Sequence, residues 1–219
     1  MPFASRYAVI LPLLFAIGCS SVRSAYYDAW ESMGYAKRER LADNVKAAKD
    51  EQVEAKEQFQ TALEQFKALV NFDGGNLEKT YNQLNDEYEA CVSQADDVKS
   101  RIQAVKNVSA ALFAEWDGEI KEMSEASLKA SSTKLRDDTK RSYDEMIARM
   151  NAAAASMDPV LEKFKNRVLY LKHNLNAAAI ASLKTEEAKI GADIDKLLND
   201  MNASIARADA FIAEIQPPK

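Results

Sequence analysis

One unbroken run of apolar spacing constrains this chain more than any other feature. From Leu77 to Trp116 the positions Leu77, Tyr81, Leu84, Tyr88, Cys91, Ala95, Val98, Ile102, Val105, Ser109, Leu112 and Trp116 alternate steps of four and three, and Ser109 alone is polar. That period keeps one stripe of a helix turned toward a neighbouring helix at a shallow angle. A strand, whose side chains alternate with period two, cannot use it. Roughly 40 residues rising 1.5 Å each make about 60 Å of helix. An earlier stretch carries the same period through Leu41, Val45, Ala48, Ala55, Phe59, Ala62, Phe66 and Leu69, with Gln52 filling the one polar gap. Large and small residues alternate along it, and its alanines let a neighbouring backbone come close.

Breaks in the pattern place the turns. Asn71-Phe72-Asp73-Gly74-Gly75-Asn76 interrupts the two seams. A glycine there can take the left-handed C′ conformation, and Asn76 can cap the next helix, so a helical hairpin is predicted. Between Asp117 and Asp138 the pattern weakens, and Gly118 or Ser131-Ser132-Thr133 is the expected turn or kink. Tyr143, Ile147, Met150, Ala154 and Met157 mark a third helix. Asp158-Pro159 pairs an N-cap residue with proline at a first helical position; it either starts a helix or bends a continuous one, and the sequence leaves both open. Leu161, Phe164, Val168, Leu171 and Leu175 open the last section. Ile190, Ile194, Leu197, Met201, Ile205, Ala208, Ile212 and Ile215 close it before Pro217-Pro218. With 6 Gly and 5 Pro in 219 residues, the composition is that of helix formers. The expectation is an all-α fold: one elongated antiparallel helical bundle or coiled coil of three to five helices, several very long, over residues 26–216.

The N-terminus is organised differently. Arg6 is followed by the uncharged run Tyr7–Ile17 and then by Gly18-Cys19. A run this short does not span a bilayer core, which takes ~20 residues, but it has the proportions of a secretory h-region. Ala16-Ile17-Gly18-Cys19 resembles the lipobox of bacterial lipoproteins, with Ala16 where leucine is more usual. The resemblance implies a signal peptide over 1–18, diacylglycerol on the Cys19 thiol and a short tether over 19–25. Ser20 in the place after the cysteine, rather than Asp, implies sorting to the outer membrane with the protein facing the periplasm. Two or three acyl chains, each contributing about 0.8 kcal/mol per buried CH₂, anchor stably where one does not. Tyr26, Tyr27, Trp30 and Tyr35 follow closely, and such rings suit either the headgroup zone or the closing of a bundle end.

Charge and chemistry narrow the function. The net charge of −5, one unit more negative without Arg6, disfavours nucleic acid as a partner and gives no attraction to anionic lipid. Lys37-Arg38-Glu39-Arg40 is basic but interrupted, the pattern of a solvated helix face. No glycine-rich loop precedes a Lys-Ser/Thr pair, and the position three before His173, the only histidine, is Tyr170 instead of a glutamate. No catalytic, metal or cofactor site is therefore expected, nor a small-molecule substrate. Cys91, inside the seam, is expected as a buried small hydrophobe rather than a redox switch.

Two stretches, Ala25-Tyr26-Tyr27-Asp28-Ala29-Trp30-Glu31 and Leu171-Lys172-His173-Asn174-Leu175-Asn176-Ala177, together with the helical middle, resemble an uncharacterised family of bacterial helical lipoproteins known as a domain of unknown function. The resemblance transfers no catalytic residue. Members are sometimes labelled relatives of DNA-repair ATPases, and shared coiled-coil composition accounts for that label in a chain without a nucleotide loop. The function expected is a non-enzymatic envelope lipoprotein, a lipid-tethered scaffold, spacer or partner-binding surface, with an envelope protein or a second copy as partner. A membrane-active protein that remodels bilayers and a cytoplasmic coiled-coil factor on DNA are the alternatives.

Overall fold

The computed structural model describes the backbone of residues 19–216 and the side chains of 37–216. The expected signal peptide lies outside the described residues. Five helices follow in order: α1 (Cys19–Val70), α2 (Leu77–Glu122), α3 (Ala126–His173), α4 (Ala177–Lys184) and α5 (Glu187–Ile215). No strand occurs among the described residues. The chain divides between Tyr35 and Ala36, and the bundle belongs to the second unit.

Local chemistry sets the connections. Val70 ends α1; Gly74 (φ 153°) and Gly75 (φ 107°) take up backbone angles that side-chain-bearing residues avoid, and the Asn76 carboxamide oxygen accepts from the Lys79 N–H at 3.0 Å to start α2. The next turn departs from expectation. Gly118 lies inside α2, the Ser131-Ser132-Thr133 run lies inside α3, and the chain reverses over Met123–Glu125. Burial outweighs the ~1 kcal/mol that a helical glycine costs, since Phe113 and Ile120 go into the interior on either side of Gly118. Thr133 meanwhile bonds back to the Lys129 carbonyl at 2.8 Å. At Asp158-Pro159 the helix continues without a break. Pro159 withdraws one donor from the ladder, yet Met157 and Val160 flanking it are both buried, and that packing holds the backbone helical.

Polar contacts between helices give the topology. From α1 to α2, Glu51 accepts from Gln94 and Glu87 accepts from Gln58, both at 2.6 Å. From α2 to α3, Lys99 meets Asp158 at 2.7 Å and Lys106 meets Asn151 at 2.8 Å. From α3 to α5, Lys163 pairs with Asp193 and Arg207 donates to the Ser142 carbonyl at 2.9 Å. From α5 back to α1, Asp209 pairs with Lys49 at 2.9 Å and Asn202 accepts from Lys56 at 3.2 Å. In every pair the numbers rise on one helix as they fall on the other. The four long helices therefore form an antiparallel up-down-up-down bundle in the ring order α1–α2–α3–α5, and the short α4 bridges α3 to α5.

The interior is the four seams facing inward. Leu41, Val45, Ala48, Ala55, Phe59, Ala62, Phe66 and Leu69 are all fully buried, and so is Gln52. Phe66 of α1 meets Phe164 of α3 edge-on at 6.1 Å, which joins helices on opposite corners of the ring. Tyr143 stands between Phe113 at 5.6 Å and Phe211 at 6.2 Å. On α5 the buried face runs through Ser204, Ala208 and Phe211, one position off the expected Ile205 and Ile212. Ile212 still packs against the core's edge, because a helix wedged between two neighbours uses a wider stripe than a two-stranded seam. We predict that Phe164→Ala lowers the unfolding free energy by about 3–5 kcal/mol. Leu135→Ala, at a position 53% exposed, is expected to change it by no more than about 0.5 kcal/mol. Urea unfolding followed by circular dichroism measures both.

Candidate functional site

Cys19 is the first residue of α1, and helical backbone continues through Tyr26, Tyr27, Trp30 and Tyr35. The side chains of all five lie outside the described residues, as do any contacts between them. Among the described residues no helix is long and apolar enough to cross a membrane, and no cluster of acidic, histidine or cysteine side chains could hold a metal ion.

Groups with latent reactivity are taken up by the bundle. Cys91 is buried, and loss of hydration pushes its thiol up to about 12; a hydrogen bond from Gln58 opposes this weakly, and the Glu87 charge adds to it. A thiol held so far above neutral pH is neither a nucleophile nor an easily oxidised thiolate. Ser109 is buried and donates to the Lys106 carbonyl at 2.9 Å, one turn back on its own helix. His173 is exposed at the last turn of α3, next to Lys172, whose positive charge suits the helix C-terminus.

The stretch around His173 that resembles the family serves as a corner. The Asn174 side chain donates to the Tyr170 carbonyl at 2.9 Å, Leu171 is buried, and the Asn176 side chain caps α4 through the Ala179 N–H at 3.0 Å. Arg167 reaches across α4 to Glu186 at 2.7 Å and ties the end of α3 to the start of α5. At the other end of the second unit, Lys37 of the basic run pairs with Glu115 of α2. Glu119, one turn on, is held above the ordinary carboxylate range by desolvation and by Glu115, against the pull of Lys37 and Arg38. Lys37 is thus engaged by α2, while Glu39 and Arg40 are exposed.

A surface feature that the heptads did not announce lies between α2 and α3. A groove of about 370 Å³ has Tyr81, Asn82, Asn85, Tyr88 and Glu89 on its α2 wall and Lys165, Val168, Leu169 and Lys172 on its α3 side. Val168 is buried and Leu169 is 48% exposed, an apolar side chain off the seam. Burial raises the Tyr88 phenol above its usual range, and Glu89 adds to that. The signal available in the sequence was Val168-Leu169-Tyr170-Leu171, four apolar residues in a row where one helical face needs only two. Lining and size suit non-covalent docking, with no paired acid and base to do chemistry.

These features define an all-α bundle protein whose Cys91 and Ser109 are enclosed in the core and which carries a groove between α2 and α3 among the described residues. The sequence model of the family described as a protein of unknown function (DUF2959) matches residues 26–215, and the chain belongs to that family. Comparison with curated proteins finds no match.

One buried residue works against the fold. Gln52 is fully buried in the α1 seam, and neither carboxamide atom has a hydrogen-bond partner among the described residues. An unmet buried polar group costs about 1–3 kcal/mol. Gln52→Met keeps the volume and removes both polar atoms, so it is expected to raise the unfolding free energy by about 1–2 kcal/mol, read as a higher urea midpoint. A lower midpoint would show that the amide is satisfied in solution.

Proposed function

We propose that this protein is a non-enzymatic lipoprotein of the cell envelope, held by acyl chains on Cys19 and offering its helical bundle as a scaffold or partner-binding surface. The observation that carries the proposal is the order of elements: Arg6, an apolar run from Tyr7 to Ile17, Gly18-Cys19, and helix α1 from Cys19 onward. On this reading the acylated residue is the first residue of α1.

Two further observations support it. The net charge of −5 supplies no electrostatic hold on anionic lipid, so residence at a membrane rests on hydrocarbon. Two side chains with latent chemistry have structural roles: Cys91 in the seam and Ser109 on its own backbone. Ser20 after the cysteine points to the outer membrane as the destination.

The test is metabolic labelling with an alkynyl fatty acid followed by membrane fractionation. Wild-type protein is expected to carry the label and to sediment with outer membranes, while Cys19→Ala loses the label and leaves that fraction. Unlabelled, freely soluble wild-type protein would refute the proposal.

A further inference from the structure

We propose that the α2–α3 groove docks an amphipathic helix of a protein partner, one whose apolar face is flanked by carboxylates two turns apart. This deepens the partner-binding reading and rests on it, though not on acylation. The floor is apolar: Val168 is buried beneath it, Tyr81 and Tyr88 are half-buried along it, and Leu169 projects from its edge. Exposed apolar surface in contact with water is a standing cost that a partner's apolar face removes.

Charge selects the occupant. Four cations lie on this part of α3, and they fall into two sets. Lys163 pairs with Asp193 and Arg167 with Glu186, both toward α5. Lys165 and Lys172 face the groove, and neither pairs with a carboxylate among the described residues. Two ammonium groups without a carboxylate partner among the described residues make the α3 wall basic, while Glu89 lies on the α2 wall. Complementarity calls for an anionic occupant on that side. Asn82, Asn85 and Glu89 on the facing wall call for hydroxyl, amide or basic groups on the other.

The spacing suits a helix. Lys172 follows Lys165 by seven positions, about 10 Å along α3. Carboxylates at i and i+7 of a third helix repeat that distance, and the residues at i+3 and i+4 between them then meet Tyr81, Tyr88 and Leu169. A groove of about 370 Å³ takes two or three such side chains.

The probe is a fluorescein-labelled helical peptide of about 18 residues with Glu at i and i+7 and Leu at i+3 and i+4, paired with a Lys-for-Glu counterpart. Fluorescence anisotropy is measured on the full-length protein in detergent, with empty micelles as the blank. Saturable binding of the Glu peptide that weakens with salt is expected, with little binding of the Lys peptide. The double variant Lys165→Glu and Lys172→Glu is expected to lower affinity about tenfold or more, and Leu169→Ser to lower it as well. All three positions are exposed, and circular dichroism confirms that the variants fold. Equal binding of the two peptides, unchanged affinity in the charge-reversed variant, or no saturable binding would overturn the proposal. So would self-association of the full chain that the double variant abolishes, because the occupant would then be a second copy. None of these outcomes bears on fatty-acid labelling at Cys19, so the anchor reading stands or falls separately.

Discussion

Mutual burial of four apolar stripes is the interaction on which the rest of this protein depends. Each long helix is too polar on its outer face to be stable alone, and its stability comes from the seam it turns inward. The many ion pairs on the surface, such as Lys46–Asp50, Lys134–Asp138 and Lys196–Asp200, are exposed pairs within one helix, each contributing only a few tenths of a kcal/mol. A single buried phenylalanine such as Phe59 or Phe164 outweighs several of them. The polar bridges between helices, from Gln94 to Glu51 or Lys106 to Asn151, therefore matter more for register than for total stability.

That arrangement also governs the polar and titratable groups inside the bundle. A bundle core of Leu, Phe, Met and Ala has no room for a hydrated charge, so Cys91 stays protonated and Ser109 turns back to its own backbone. Gln52 and Ser204 are the exceptions, buried with no partner for their side-chain polar atoms among the described residues. The surface is where specificity can reside. The α2–α3 groove combines an apolar floor with Lys165 and Lys172, while Lys163 and Arg167 pair with carboxylates on the α5 side.

Much of this was legible in the sequence, for a physical reason: a heptad seam states both the element and the face it buries. The α1 and α2 stripes are buried or half-buried at every position the spacing named, and Asn76 caps where the glycines end the first hairpin. Breaks inside α2 and α3 were less legible because propensity is local. Gly118 and Pro159 each cost their helix something, and only the packing of Phe113, Ile120, Met157 and Val160 decides that the helix continues. The Met123–Glu125 turn carries no glycine, proline or side-chain cap to announce it. The groove depends on which helices become neighbours in the ring, and a seam pattern does not encode ring order. Cys19 stands the other way round: its context speaks in the sequence, while its side chain lies outside the described residues.

The two cysteines have different fates, Cys19 proposed to be acylated and Cys91 sealed in a helix seam. Titrating the thiols of the protein purified from membranes, before and after unfolding in guanidinium, tests both together. The expected result is no reactive thiol in the folded protein and one, Cys91, once it unfolds. Two thiols after unfolding would mean that Cys19 carries no lipid, and the proposed anchor would be gone.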